Sequence, residues 1–149
     1  LMPPTLKNFG LESAVNDLFQ KISSSGSMNA SCRFHDYRNR MHPEDELIIF
    51  RVIQELVNNI LKHSNASFIH LTQNLSDDKF FIRMHHDGKG LTQADFEKLN
   101  KAASGLGLKN IQSRLKLLHG RIFFEKDMSQ TYFKVTIEVP RIEESVGTK

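Results

Sequence analysis

Residues 43–63 read PEDELIIFRVIQELVNNILKH and carry the strongest helical pattern in this 149-residue chain. Pro43 suits the first turn of a helix, because the N–H that it lacks would have no partner there. Three acidic residues follow it, where the helix dipole favours negative charge. Apolar residues then recur at helical spacing as far as His63. The stretch therefore predicts one long amphipathic helix, and the rest of the fold is predicted outward from it.

Two further helices are predicted, one before and one after this stretch. The first covers Leu11–Ser23, where apolar residues recur at helical spacing, and the Ser23–Ser27 segment should end it as a flexible link. The second covers Leu108–Leu118, with Gly120 as its left-handed cap. Between the long helix and the last one, Gly88–Gly107 is polar and bounded by glycines, which is typical of a functional or mobile loop. We predict that it is a lid with one helical turn near Phe96.

The strand predictions rest on short segments with apolar residues and turn signals. Ser76-Asp77-Asp78 separates two alternating segments and predicts a tight turn between antiparallel strands. The five predicted strands are residues 30–34, 68–75, 79–86, 122–125 and 132–139. The resulting order, α β α β β lid α β β, indicates a domain that combines a sheet with a layer of helices.

The composition argues against several classes of function. The hydrophobic fraction of 39% and the charged fraction of 25% are ordinary for a globular domain, and no apolar run approaches the roughly 20 residues that cross a bilayer. A single Cys32 permits neither an internal disulfide nor a thiolate zinc site. The net charge of +3 comes from scattered basic residues, which does not favour nucleic acid. We expect a cytoplasmic domain without nucleic-acid or direct membrane contact.

One face of the long helix is polar. Glu55, Asn59 and Lys62 stand at offsets of four and seven residues, so their side chains share that face. Most polar helix faces are simply solvated, but adjacent asparagines such as Asn58 and Asn59 contribute little to the stability of a solvent-exposed helix. The stripe therefore indicates either a solvent-facing surface or the wall of a binding site.

Two glycine motifs follow the helix in the sequence. His86-Asp87-Gly88-Lys89-Gly90 ends a predicted strand, where glycines allow positive φ angles and close approach of the backbone to a ligand. Gly105-Leu106-Gly107-Leu108 precedes a predicted helix, whose free N–H groups favour an anion such as phosphate. Each motif alone is also compatible with a simple turn.

The three motifs, in this order and at these intervals, closely resemble the N box and the two glycine boxes of sensor histidine kinase catalytic domains. The wider superfamily includes type II topoisomerases, heat-shock chaperones and mismatch-repair ATPases. The resemblance extends from Leu1-Met2-Pro3-Pro4 to Val139-Pro140 and is closest to the nitrate-sensor and desaturase-regulating subfamily. It implies a Bergerat-type ATP-binding fold, an α/β (α+β) two-layer sandwich whose mixed, mostly antiparallel sheet carries three helices on one face.

The resemblance also implies a role for each matching residue. Asn59 would hold Mg²⁺ through its side-chain oxygen, and Glu55 would polarise a water or help to order the metal. Lys62 and His63 would approach phosphate or ribose. The ATP-binding positions that the resemblance implies are Asn59, Lys62, His63, His86, Gly88, Gly90, Gly105, Leu106, Gly107, Leu108 and Thr131. Thr131 matches the threonine of the last box, although Ser129-Gln130 replaces the usual glycines.

One position departs from the family pattern. The first glycine box normally reads Asp-x-Gly-x-Gly, and its aspartate accepts a hydrogen bond from the amino group of adenine. His86 occupies that position here, and Asp87 should point to the opposite face of the strand. A neutral imidazole can accept a hydrogen bond, whereas an imidazolium cannot. We expect ATP binding about 10- to 150-fold weaker than with aspartate, and weaker still as the pH falls.

Three functions remain open at this point. The first is a kinase domain that passes the γ-phosphate of Mg-ATP to a histidine on a separate dimerisation domain, which then signals to a response regulator. The second is a regulatory module that keeps the fold and has weak or no ATP binding. The third is a serine-phosphorylating anti-sigma-factor kinase of the same superfamily, against which the opening leucine-proline segment argues.

The resemblance also divides the chain. Residues 1–10 are expected to end a linker from the dimerisation and phosphoacceptor helices, residues 11–140 to form the ATP-binding domain, and residues 141–149 to be a tail. The parent protein could be anchored in the inner membrane. None of the seven histidines lies in the setting of a phosphoacceptor, so the isolated chain should not autophosphorylate.

Overall fold

A computed structural model describes residues 2–35, 37–38, 41–101, 108–127, 129 and 131–140. Within these ranges the chain forms five helices and five strands. The helices are α1 (Pro4–Phe9), α2 (Leu11–Ser24), α3 (Pro43–His63), α4 (Gln93–Lys101) and α5 (Leu108–Lys116). The strands are β1 (Asn29–Phe34), β2 (Phe68–Ser76), β3 (Lys79–His86), β4 (Arg121–Lys126) and β5 (Phe133–Pro140).

The five strands form one sheet in the order β1-β2-β3-β5-β4. The edge strand β1 pairs with β2 in parallel, and every other pair is antiparallel. Asp77 and Asp78 both have positive φ, of 49° and 61°, as expected of the two-residue turn that matches the twist of a β-hairpin. The predicted mixed, mostly antiparallel sheet is confirmed.

The long helix α3 carries the core of the molecule. It spans the 21 residues that its sequence pattern predicts, and its apolar face is buried while Asn58 and Lys62 on the other side are exposed. The buried apolar residues of this helix are Ile49, Phe50, Val52, Ile53, Leu56, Val57 and Ile60. In the part of the chain that the structure describes, no helix is both long and apolar enough to cross a membrane.

The helical layer contains more than the three predicted helices. Residues that the sequence analysis assigned to the end of a linker form α1, and its Leu6 is 97% buried because the helix packs against α2 and α3. The segment predicted as the first part of a lid contains α4. Fold class is unaffected, because both additional helices join the layer that covers the sheet.

The predicted lid is corrected in its first half. Thr92 and Asp95 form a reciprocal capping box at the start of α4, with the Asp95 N–H donating to the Thr92 hydroxyl at 3.1 Å. Phe96 is 2% exposed and packs on Phe124 of β4 with ring centroids 4.6 Å apart. The Gln93 side-chain oxygen accepts a hydrogen bond from the Phe124 N–H at 2.8 Å. Residues 93–96 are therefore docked on the sheet.

A buried carboxylate joins the start of α2 to α3. Glu46 accepts hydrogen bonds from the Leu11 N–H, at 3.2 Å, and from the Tyr37 hydroxyl. Gly10 precedes α2 and offers no side chain as a cap, so Glu46 satisfies one of the free N–H groups of that helix from a distant part of the chain. Burial raises the pKa of Glu46, and the two hydrogen bonds oppose that rise.

Two local details differ from the predictions. Ser23 belongs to the last turn of α2, and its hydroxyl both donates to the Ala30 carbonyl and accepts from the Ala30 N–H, at 2.8 Å each. The serine-rich segment therefore begins with a contact that ties α2 to the edge strand. After α5, the left-handed residue is His119, with φ of 55°, and Gly120 lies outside that region.

Candidate functional site

Two adjoining cavities lie beside the second half of α3. The first, here called the apolar cavity, has a volume of about 240 Å³ and opens between α3, the segment after β3, the start of α5 and the ends of β4 and β5. The second, here called the polar groove, has a volume of about 290 Å³ and runs along the exposed side of α3. Asn59 and His63 line both, so the two spaces meet at these side chains.

The two spaces differ in chemistry. The polar groove is lined by the predicted stripe of Glu55, Asn59 and Lys62, together with Asn58 and His63. The surface that the apolar cavity exposes is mainly apolar, although six of its fourteen lining residues have polar side chains. Its lining residues are Leu56, Asn59, Ile60, His63, Ser64, His86, Lys89, Gly90, Leu91, Leu108, Phe124, Phe133, Lys134 and Val135. This pairing suits a ligand with a flat apolar part and a highly polar part.

The orientation of Asn59 is fixed by its own helix. Its side-chain Nδ2 donates to the Glu55 carbonyl oxygen at 2.8 Å, which only the NH₂ end of the amide can do. The Asn59 Oδ1 therefore remains as an acceptor where the two cavities meet. Amide oxygens are hard ligands of the kind that Mg²⁺ takes. Among the described residues no group of three or more His, Cys, Asp or Glu could hold a metal, so a cation here would need further oxygens from its ligand.

His86 lies at the end of β3 in the wall of the apolar cavity, and only 1% of its surface is exposed. Its ring stacks on Phe133, with centroids 5.7 Å apart and an interplanar angle of 15°. The Gly88 N–H donates to the His86 Nδ1 at 3.2 Å. Burial lowers the pKa of His86, an effect that neighbouring Asp87 opposes. Burial therefore favours the neutral form of the ring, and the hydrogen bond and the stacking fix its position.

This geometry changes the expectation for His86. From the sequence, the unprotonated nitrogen of His86 is expected to accept a hydrogen bond from the amino group of adenine. In the structure the Gly88 backbone already occupies that nitrogen. Asp87 does not replace it, because its carboxylate accepts from the Ser67 and Phe68 N–H groups, at 2.8 and 3.1 Å, and from the Ser67 hydroxyl. These bonds also lower the pKa of Asp87.

The two glycines after β3 serve close packing. Neither has a φ in the left-handed region, contrary to the expectation that they use positive φ. A Cβ at Gly88 would lie 2.7 Å from the Ala66 N and closer still to the Ser64 carbonyl oxygen, while one at Gly90 would overlap the Phe133 ring. The Lys89 N–H between them donates to the Ser64 carbonyl at 2.8 Å. The motif thereby packs the segment after β3 closely against the end of α3.

The structure brings most of the predicted positions to one place. Glu55, Asn59, Lys62, His63, His86, Gly90 and Leu108 line one or both spaces, and Gly88 supports the wall. Thr131 lies elsewhere, in the exposed β4–β5 turn, where its N–H donates to the Asp127 carboxylate at 2.9 Å. Gly105, Leu106 and Gly107 lie outside the described residues.

Several lining residues escaped the sequence analysis. Phe133, Lys134 and Val135 come from β5, and Phe124 comes from β4, far along the chain from α3. In the sequence they look like ordinary strand residues, because aromatic and β-branched side chains are common in any sheet and do not mark a binding site. Ser64 and Lys89 could have been predicted more easily. Ser64 directly follows the polar end of the long helix, and Lys89 lies within the first glycine motif.

The lowered pKa of His86 predicts a loss of stability in acid. The unfolded histidine titrates near its ordinary value of 6.5, and the folded one titrates below it, so the folded state binds fewer protons in that interval. The contribution of His86 to the free energy of unfolding should be complete above pH 6.5, and it should be lost as the pH falls through the lowered pKa. The urea midpoint should therefore be lower at about pH 5.5 than at about pH 7.5.

His86→Asn should reduce this pH dependence, because asparagine has no charge to acquire. The effect should be partial, since burial and nearby Lys134 also lower the pKa of His85. His119→Asn, at an exposed turn position, serves as the matched control. Equal pH dependence in wild type and His86→Asn would contradict the assignment to His86.

Comparison with known proteins agrees with this geometry. The family model described as histidine kinase-, DNA gyrase B-, and HSP90-like ATPase matches residues 44–142. The oxygen sensor histidine kinase NreB of Staphylococcus carnosus is 24% identical over 140 residues, which are 94% of this chain and 39% of that protein. The sensor protein VraS of Staphylococcus aureus is 27% identical over 94% of this chain and 38% of its own length. The chain thus spans well under half of these relatives.

Solved structures share the fold at low sequence identity. The catalytic domain of histidine kinase ThkA superposes with a TM-score of 0.69 at 20% identity, covering 88% of this chain and 90% of that one. The histidine kinase AdeS of Acinetobacter baumannii gives a TM-score of 0.69 at 15% identity, covering 92% and 72%. These likenesses show that the chain shares the fold of histidine kinase catalytic domains.

Proposed function

Because this chain belongs to the family of histidine kinase-, DNA gyrase B- and HSP90-like ATPases, we propose that it is the ATP-binding catalytic domain of a two-component sensor histidine kinase. In this proposal the domain holds Mg-ATP and presents the γ-phosphate to a histidine on its own upstream dimerisation domain. That histidine then passes the phosphate to a response regulator. The sensor histidine kinases among its relatives support this choice within the family.

The observation that carries the proposal is the meeting of two unlike spaces at Asn59. The apolar cavity fits the flat base of a nucleotide, and the polar groove fits its phosphates. Lys62 and His63, both exposed at the end of α3, would contact phosphate or ribose. Lys89 and Lys134, on the wall of the apolar cavity, add positive charge near an anionic ligand.

Two residues of the groove would also suit the Mg²⁺ that accompanies ATP. Asn59 Oδ1 would be the protein ligand of Mg²⁺, and Glu55, one turn earlier in the groove, would order a water bound to it. When bound, Mg²⁺ neutralises charge on the phosphates. The chain's own contribution is then to position the nucleotide, and positioning together with charge neutralisation is the main source of rate enhancement in phosphoryl transfer.

His86 and the altered last box favour a second candidate, a regulatory module of the same fold with weak or no ATP binding. His86 offers adenine no acceptor, since Nδ1 is occupied, and the Thr131 hydroxyl is bonded to Ser129 within the β4–β5 turn. Such a domain would act through its partner domains and not through phosphoryl transfer.

Calorimetric titration with a non-hydrolysable ATP analogue, with and without Mg²⁺, tests the proposal. We expect saturable binding that Mg²⁺ tightens, because Asn59 and the phosphates would share the cation. The absence of binding at about millimolar ligand, the upper end of the usual range of enzyme substrate constants, would refute nucleotide-dependent catalysis and leave the regulatory module.

A further inference from the structure

His86 is a buried polar group inside an otherwise apolar part of the cavity wall. Its ring is held from two sides, by the Gly88 N–H at Nδ1 and by stacking on Phe133. Rotating the ring by 180° about its bond to Cβ would place a carbon opposite the Gly88 N–H and lose that hydrogen bond. The position of both ring nitrogens is therefore determined by the fold.

The Gly88 contact also determines where the proton lies. A backbone N–H can donate only to an unprotonated nitrogen, so Nδ1 carries no hydrogen. A neutral imidazole then bears its hydrogen on Nε2, which makes that atom a donor. Protonation of the ring would leave Nε2 a donor as well. In either charge state, His86 presents a donor and has no free acceptor.

Nε2 has no hydrogen-bond partner among the described residues. His86 lines the apolar cavity, and with Nδ1 occupied, Nε2 is the ring nitrogen for which a ligand or water there can supply a partner. A buried donor that a ligand leaves unsatisfied weakens binding.

We propose that His86 makes this site recognise a hydrogen-bond acceptor at position 6 of a purine, so that a 6-oxopurine nucleotide binds at least as tightly as ATP. The inference rests on the proposed function, because it takes the base of a nucleoside triphosphate as the occupant of the apolar cavity. A 6-amino group would place its own N–H against the Nε2–H, and two donors repel. A 6-oxo group accepts from it.

The test compares ATP with inosine triphosphate (ITP), which carries oxygen where ATP carries the amino group and an N–H at the neighbouring N1, where adenine has an unprotonated nitrogen. Both are titrated calorimetrically with Mg²⁺ into the wild-type chain, His86→Asp and His86→Asn. In wild type we expect ITP to bind as tightly as ATP or tighter. In His86→Asp the order should reverse in favour of ATP, and the ratio of the two affinities should change about 5- to 150-fold.

Two controls separate recognition from folding. His86→Asn keeps a neutral side chain with both a donor and an acceptor, so it should bind ITP and ATP with little preference. His85→Asp changes the adjacent strand residue, which does not line the cavity, and should keep the wild-type order. Urea midpoints show whether each variant is folded.

The outcomes distinguish this inference from the proposed function. ATP binding ten times tighter than ITP in wild type would overturn the role of His86 and leave the ATP-binding domain intact. Binding of ITP without measurable binding of ATP would support the role of His86 and contradict ATP as the substrate. The absence of binding by either nucleotide would overturn both.

Discussion

Asn59→Ala should weaken the Mg²⁺-dependent binding of an ATP analogue at least about tenfold, which corresponds to about 1.4 kcal/mol. The reason is the fixed amide of Asn59, whose Nδ2 is bonded to the Glu55 carbonyl and whose Oδ1 lies where the apolar cavity and the polar groove meet. Alanine removes the only protein oxygen that we assign to the cation. Titrations in Mg²⁺ and in a chelator would measure the effect.

The loss should be confined to the metal-dependent part of binding. In chelator, Asn59→Ala and wild type should bind the analogue alike, because the apolar cavity keeps its other walls. Asn8→Ala, an identical change at an exposed position of α1, should behave as wild type in both conditions. Equal losses with and without Mg²⁺ would show that Asn59 contacts the nucleotide and holds no metal.

The part of this site that lies on α3 could be predicted from the sequence because it depends on one helix. Glu55, Asn59 and Lys62 are neighbours on one face of any α-helix that contains them. Pro43 and the three acidic residues after it mark where this helix begins. The same reasoning located β2, β3 and the turn at Asp77 and Asp78.

What escaped prediction depends on contacts between distant segments. Phe133 forms the stacking surface of His86 only because β5 pairs with β3, which the local sequence does not reveal. The use of Nδ1 by the Gly88 N–H depends on the turn that follows β3. The sequence identified His86 as the unusual position, but the chemistry that it presents follows from its tertiary neighbours.

The glycine motif illustrates a second limit. Its glycines predicted positive φ angles and close approach of the backbone to a ligand, and the structure gives a different reason for the same residues. Gly88 and Gly90 lie outside the left-handed region and are small because Ser64, Ala66 and Phe133 occupy the space of a side chain. Sequence patterns therefore located the motif without revealing which neighbour requires it.

Gly88→Ala should destabilise the domain by about 1–3 kcal/mol, the usual cost of overpacking a filled site. Its Cβ would meet the backbone of Ser64 and Ala66, which cannot rotate away as a side chain could. The segment after β3 must then separate from the end of α3 and strain the hydrogen bond from the Lys89 N–H to the Ser64 carbonyl. Urea unfolding would measure the change in the free energy of unfolding.

The same displacement should weaken nucleotide binding, because Ser64, Lys89 and Gly90 form part of the apolar cavity. Gly120→Ala is the matched control: its Cβ would have nearest neighbours at 3.3 Å and its φ is also outside the left-handed region, so it should cost less. Gly120 does not line the cavity, and affinity should be retained. If Gly88→Ala proved as stable as Gly120→Ala and bound nucleotide normally, the close packing of this motif against α3 would not be what requires a glycine there.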